Sequence, residues 1–246
     1  MAASDAVILL IGLHGSGKST FTRAATGAEV RIGKSSHGIY ETTVTCQAYE
    51  IHYKGKCFTI VDTPGLADRN THEENLKILD EIAQQLSRMG QPRINGIIYF
   101  HSIQNMRLSG VHKANFRLLQ AICGQQFPHV VFVTSRWDRI RMEDEEHCEI
   151  MNHHLELERR KLFPRGPRIK KFLNDSRSHE AILDYFADRV DSTAEPATSP
   201  QLQFIEELRR FQFAKTGARA LRKTGAVREI ERERKRVSKG SSCSVM

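Results

Sequence analysis

The sequence predicts a three-layer α/β fold, in which a mostly parallel six-stranded sheet with one antiparallel strand carries helices on both faces. Two observations predict it. Short apolar runs bounded by turn residues alternate with segments of helical periodicity, the pattern of repeated β-α units. Lys54-Gly55-Lys56 separates two neighbouring apolar runs, a hairpin signal that makes one strand pair antiparallel.

The elements follow in order. Residues 7–11 form a buried strand, and a glycine-rich stretch then opens a helix over 18–26. The hairpin strands are 44–53 and 58–61. Residues 73–89 are helical, with Leu76, Leu79, Ile82, Ala83 and Leu86 on one stripe. A strand over 96–100 leads to a helix over 111–123 that Gly124 closes, and then to a strand over 130–134. A charged helix (143–162), a short strand (169–173) and a last helix (178–190) complete the main domain, residues 1–191. Ser-Thr-Ala-Glu-Pro-Ala-Thr-Ser-Pro, residues 192–200, reads as a linker. Beyond it lie a basic helical segment (201–237) and a small polar tail (238–246). No internal repeat is visible.

Composition narrows the class. With 39% hydrophobic and 27% charged residues the 246-residue chain is an ordinary globular sequence with one sizeable core. Its net charge of +8 is concentrated at the end, where residues 201–246 hold twelve Lys/Arg against five Asp/Glu. Five cysteines show no CxxC pair, which fits reduced thiols in a cytoplasmic protein. No apolar run reaches the length of a membrane span. His147, His153 and His154 lie on the charged helix without metal-ligand spacing, so a solvated face explains them.

Gly12-Leu13-His14-Gly15-Ser16-Gly17-Lys18-Ser19 fits GxxxxGK[ST] between an expected strand and an expected helix, the context this motif requires. Such a loop curls so that its N–H groups face phosphate oxygens. Lys18 reaches the β and γ oxygens and the Ser19 hydroxyl ligates Mg²⁺, with Gly12, His14, Gly15, Ser16, Gly17 and Thr20 completing the nucleotide-binding set. Asp62-Thr63-Pro64-Gly65 ends a second strand about forty residues on. The Asp62 carboxylate holds Mg²⁺ through a water, and Gly65 N–H bonds the γ-phosphate, so this loop is ordered by triphosphate and released on hydrolysis. Between them, residues 32–45 should cover the nucleotide. That loop needs a hydroxyl for the metal shell; Thr43 is the choice, with Thr42, Ser36 and Thr45 as competitors. Lys18, Thr43 and Gly65 are thus the expected catalytic residues, and Ser19, Thr43 and Asp62 the metal ligands.

The segments GLHGSGKSTF, HGIYETTV, IVDTPGL, GIIYFHSIQNMRLSGVHKANFRLLQAICG, VVFVTSRWDRI and LNDSRSHEAI resemble septin-like and GIMAP-type P-loop GTPases, and more closely the fungal G domain-containing proteins related to them. The likeness runs to about residue 190. It implies the P-loop GTPase fold, GTP or GDP as ligand, Mg²⁺ as cofactor and nucleotide-dependent homodimerisation as a common mode. In such proteins the guanine-reading loop has Asn or Thr, Lys, any residue, then Asp. Here Ser135-Arg136-Trp137-Asp138 has that length, with Ser first and Arg for Lys. The Arg136 stem can lie on the purine and Asp138 can accept from guanine N1 and N2; relaxed or adenine specificity is the alternative. Asn174 or Asp175 closes the far side of the base pocket. Leu66 stands where many small GTPases carry a water-orienting glutamine, so intrinsic hydrolysis should be slow. His14, directly or across a dimer, and the Arg107 region are the candidate substitutes.

Cys243-Ser244-Val245-Met246 is a C-a-a-X ending and predicts farnesylation of Cys243. One prenyl chain binds membranes marginally; Arg232, Arg234, Lys235, Arg236 and Lys239 supply the second attraction, to an anionic cytoplasmic leaflet. Glu229, Glu231 and Glu233 interleave with these cations and support a plain solvated helix as the competing account. No aromatic stacks within the run and no nucleic-acid motif is present, which argues against DNA or RNA. Two other classes compete with a GTPase switch: a dimerising assembly module with little hydrolysis, and a small-molecule kinase.

Overall fold

Every residue of β1 (Ala6–Gly12) is buried, which places this strand in the middle of the sheet. The computed structural model describes residues 6–28, 45–66, 72–89, 94–104, 115, 119, 130–162, 164 and 166–189. Within it, β2 (Gln47–Tyr53), β3 (Lys56–Asp62), β4 (Ile94–Ser102), β5 (Val130–Ser135) and β6 (Lys170–Lys171) join β1 in the order β2-β3-β1-β4-β5-β6. Every neighbouring pair is parallel except β2 with β3. This is the expected mixed sheet. The hairpin turns through Lys54 and Gly55, both at positive φ, the two-residue geometry that matches strand twist. A side chain tolerates that backbone poorly, and Lys54 is held there by an ion pair with Asp184 at 2.6 Å.

Because successive side chains of a strand face opposite ways, β1 serves two cores. Val7, Leu9 and Ile11 pack with α2 (His72–Arg88) and α3 (Glu145–Leu162) through Leu79, Ile82, Leu86, Cys148 and Leu155. Ala6, Ile8 and Leu10 pack with α1 (Lys18–Thr26) and α4 (Ser176–Ala187) through Phe21, Ile182, Leu183 and Phe186. On that face Phe21 stacks at 5.4 Å on Phe100 and 5.5 Å on Phe172, fixing α1 over the sheet. Phe186 of α4 lies so close to Gly96 that a Cβ there would stand 2.2 Å from its ring. Among the described residues no helix is long and apolar enough to cross a membrane.

Among the boundaries that differ from expectation, three lie near the end of the domain. The last helix begins at Ser176, two residues early, because the Asp175 carboxylate accepts the Ser178 N–H at 2.7 Å and caps it. The last strand keeps two paired residues, Lys170 with Val133 and Lys171 with Thr134, and Phe172 N–H closes this short ladder on Thr134 O at 2.8 Å. The charged helix starts at Glu145, behind a 3₁₀ turn over Met142–Asp144. Of the helix expected over 111–123, Asn115 and Leu119 are described; both are helical and buried. The linker, the basic segment and the tail lie outside the described residues.

Arg159 of α3 is 3% exposed and must be compensated. It donates Nε and Nη2 to the Glu156 carboxylate at 3.0 and 2.8 Å, and Nη1 to Gly166 O at 3.0 Å. Glu156 also accepts Arg160 Nε and Ile169 N–H, each at 2.9 Å, which pins the approach to β6. Burial acts to raise the Glu156 carboxyl; the bonds from Arg159, Ile169 N–H and Arg160 outweigh it and hold the group at about 2. A depressed carboxyl stabilises the fold above its ordinary value of 4.5, and that contribution disappears as pH falls through about 2. Glu156→Gln is therefore expected to lower the melting temperature at neutral pH and to flatten its decline between pH 4.5 and about 2. Thermal unfolding across that range checks it, and an acid limb identical to wild type would refute the assignment.

Candidate functional site

Parallel pairing brings the C-terminal ends of β1, β3, β5 and β6 to one edge of the sheet, where ligands of open α/β sheets bind. The loop after β1 occupies the centre of that edge. Its path requires Gly17, which caps α1 in the left-handed region at φ 93° and would place a Cβ 3.2 Å from Ser135 Oγ.

The carbonyls of this loop are taken up one by one. Gly12 O accepts Leu66 N–H at 3.0 Å and Lys18 Nζ at 3.1 Å. Leu13 O accepts Ser16 N–H at 3.2 Å and Lys18 Nζ at 3.1 Å. Gly15 O accepts Arg136 Nε and Nη2 at 3.2 and 3.0 Å, and Ser16 O accepts Ser135 Oγ–H at 2.6 Å. No described acceptor takes the Gly15 or Gly17 N–H. The loop thus spends its carbonyls on the protein and keeps these donors, at a helix N-terminus, for an anion.

Asp62 stands beside it at the end of β3. Its carboxylate is 1% exposed, hydrogen-bonded to the Ser19 side chain and to Thr63 N–H, and close to Lys18. Burial pushes its carboxyl above the usual range against the opposing pull of Ser19, Lys18 and the Thr63 amide. Oδ1 finds no partner among the described residues. A buried carboxylate oxygen lacking a donor, next to a hydroxyl and a cradle of amides, is a hard oxygen set that fits Mg²⁺ with a phosphate chain.

The residues after Asp62 are tied back to the loop. Thr63 Oγ1 donates to Leu10 O at 2.6 Å, and Leu66 pairs with Leu13 as a parallel bridge, closed by His14 N–H donating to Leu66 O at 3.2 Å. Gly65 lies flat on His14: a Cβ would stand 2.5 Å from His14 Cα. Leu66, read from sequence as an absent glutamine, is 2% exposed and packs in the core with Leu13.

At the end of β5, Ser135-Arg136-Trp137-Asp138 turns sharply, with Arg136 left-handed at φ 67°. Its guanidinium is bonded to the phosphate loop, a contact not foreseen when Arg136 was read as a purine platform. Asp138 is exposed. Trp137 donates Nε1 to Thr134 O and Oγ1 and lies under Lys171 Nζ, 4.2 Å from the ring centroid. Asn174, also left-handed at φ 62°, sits exposed in the next loop, which the Thr134–Lys171 pairing sets beside this one. Asp175 is occupied as the cap of α4. Thr20 lies in the first turn of α1, and Thr45 is exposed just before β2. Thr43, Thr42, Ser36, Arg107 and Cys243 lie outside the described residues. Reasoning from sequence missed the Thr63 and Leu66 ties; an apolar residue directly after Asp62–Gly65 was the available signal for the second.

Residues 7–153 match the family described as 50S ribosome-binding GTPase. The chain belongs to this GTPase family. No curated protein sequence matches it. Among solved structures, Toc33 from Arabidopsis thaliana with Mg²⁺ and GMPPNP is similar at 15% identity and TM-score 0.59, over 76% of this chain and 85% of that one. Bacterial selenocysteine-specific elongation factor EF-Sec matches at 14% identity and TM-score 0.54, over 78% of this chain. SelB from Methanococcus maripaludis matches at 11% and 0.52, over 80%. The chain spans only 30% of EF-Sec and 36% of SelB, so it is similar to one part of those factors. At these identities the likeness is one of fold, the P-loop GTPase sheet.

Gly65→Ala puts a methyl group against the His14 backbone and forces the end of β3 off the phosphate loop. The expected result is a loss of about 1–3 kcal/mol in stability, with phosphate release from GTP reduced at least as strongly as nucleotide affinity. Unfolding and single-turnover assays check it; wild-type values in both would rule the contact unimportant.

Proposed function

We propose that this chain is a GTP-binding switch with slow Mg²⁺-dependent GTPase activity, held at a cytoplasmic membrane surface by a prenylated basic tail. One observation carries the nucleotide part: the buried Asp62 carboxylate meets the Ser19 hydroxyl and Lys18 beside a loop in which the carbonyls of Gly12, Leu13, Gly15 and Ser16 are engaged while the Gly15 and Gly17 amides take no described acceptor. Mg²⁺, when bound, would neutralise charge on the β and γ oxygens, with Ser19 and Asp62, and Thr43 from the covering loop, as its ligands. Lys18 and the loop amides hold the triphosphate, Gly65 N–H senses the γ-phosphate, and His14 flanks that position. Asp138 accepts from guanine N1 and N2, and Asn174 closes the pocket.

Slow turnover follows from Leu66. Leucine carries no group that could orient a water, and this side chain is buried in the core with Leu13. A water-orienting group then has to come from His14, from the Arg107 region or from a second molecule. The solved-structure report on the chloroplast translocon components atToc33 and psToc159 states that dimerisation is important for their GTPase activity. Nucleotide-dependent homodimerisation is accordingly the second reading for this chain, with GTP at the dimer interface and little hydrolysis by the monomer. Septin-like and GIMAP-type proteins remain the family resemblance that favours it.

Two measurements test the proposal. Wild-type protein is expected to co-purify with guanine nucleotide, identified by mass, and Lys18→Ala to lose it, because the ammonium and its two carbonyl bonds vanish together; wild type that binds neither GTP nor ATP with Mg²⁺ would end the reading. Cys243→Ser is expected to move the full chain from the membrane to the soluble fraction. An unchanged distribution would remove the anchor and leave the nucleotide site standing.

A further inference from the structure

We propose that Ser135 makes this site blind to the N7 edge of the base, so that guanine is read through its N1/N2 edge alone. The inference deepens the GTP reading above and rests on it. Ser135 ends β5 directly under the phosphate loop, and Asp138 lies three residues further along the same turn. A purine whose phosphates occupy the loop and whose N1 and N2 meet Asp138 must therefore carry its five-membered ring, with N7, past Ser135.

N7 of guanine is an acceptor and needs a donor. A serine hydroxyl has one hydrogen. Here Ser135 Oγ donates to Ser16 O at 2.6 Å, and its next acceptor is another main-chain carbonyl, His101 O at 3.4 Å. The residue is 1% exposed, roofed by Gly17, whose Cβ would meet Ser135 Oγ at 3.2 Å and Cβ at 3.3 Å. The hydrogen is thus spent on bracing the loop, and the oxygen is closed off from any incoming ring. A side-chain amide at this position has two N–H hydrogens, one for Ser16 O and one to spare for N7. Arg136 does not substitute for it. Its Nε and Nη2 are both turned onto Gly15 O, and its left-handed backbone directs the chain away into the Trp137–Arg139 turn.

The consequence is a division of labour. Ser135 and Arg136 hold the phosphate loop, while Asp138 and the loop of Asn174 supply all discrimination. The test is competition by GTP, 7-deaza-GTP, ITP and ATP against labelled GDP on the full chain with Mg²⁺. GTP and 7-deaza-GTP are expected to compete within about twofold of each other, since the missing hydrogen bond of about 0.5–1.5 kcal/mol is absent for both. ITP, lacking N2, is expected to fall behind by at least that bond's worth, about three- to tenfold. Ser135→Asn is expected to open a gap of about three- to tenfold between GTP and 7-deaza-GTP by providing the second hydrogen. Ser135→Ala should weaken both analogues equally. If GTP outcompetes ATP yet wild type loses more than about fivefold on 7-deaza-GTP, this inference falls and the GTP reading stands. If ATP competes as well as GTP, the guanine reading falls and takes the inference with it.

Discussion

The functional edge of this protein depends on where eight residues put their carbonyl oxygens. A loop that curls round an anion must turn its amides inward, and a turn of that kind pushes its carbonyls outward, where each needs a donor. Three separate parts of the chain provide donors: Lys18 from the helix that follows, Leu66 from the end of β3, and Ser135 and Arg136 from the end of β5. Those donors arrive only because β3, β1 and β5 are parallel and end together. The sheet order is thus a condition of the loop's shape, and the two cores on either side of β1 hold the sheet.

This arrangement also couples groups that are usually discussed apart. Leu66 belongs at once to the core and to the hydrogen-bond pattern of the phosphate loop, through Gly12 O and His14 N–H. Displacing Leu66 itself breaks that two-bond bridge and exposes an apolar side chain, which opposes its movement in the absence of a competing ligand. Gly65 makes the same point sterically, since no side chain fits between it and His14.

Much of this was legible in the sequence, for identifiable reasons. GxxxxGK[ST] and Asp62–Gly65 are legible because each gathers its residue types within a few consecutive positions, and α1 has the boundaries its pattern predicts. The start of α4 was misjudged because a capping aspartate, Asp175, was weighed as a base-pocket residue. Its neighbour β6 pairs over two residues only, while the next residue, Phe172, packs its ring against Phe21 and Phe100. Ser135 and Arg136 were recognised by spacing as the base-reading loop, but their bonds to Ser16 O and Gly15 O join positions more than a hundred residues apart. No local pattern carries such a contact.

The chain contains a single tryptophan, and it stands in the turn between Arg136 and Asp138. Its indole is fixed by the hydrogen bonds to Thr134 and covered by the Lys171 ammonium, a charge that perturbs the emission of the ring beneath it. Light absorbed by the protein at the red end of its ultraviolet band therefore reports on one small region, the turn over Trp137–Arg139 that follows β5. The chain thus carries a built-in fluorophore next to the residue that braces the phosphate loop, Arg136 on Gly15 O, and changes in that bracing can be followed optically without attaching a dye.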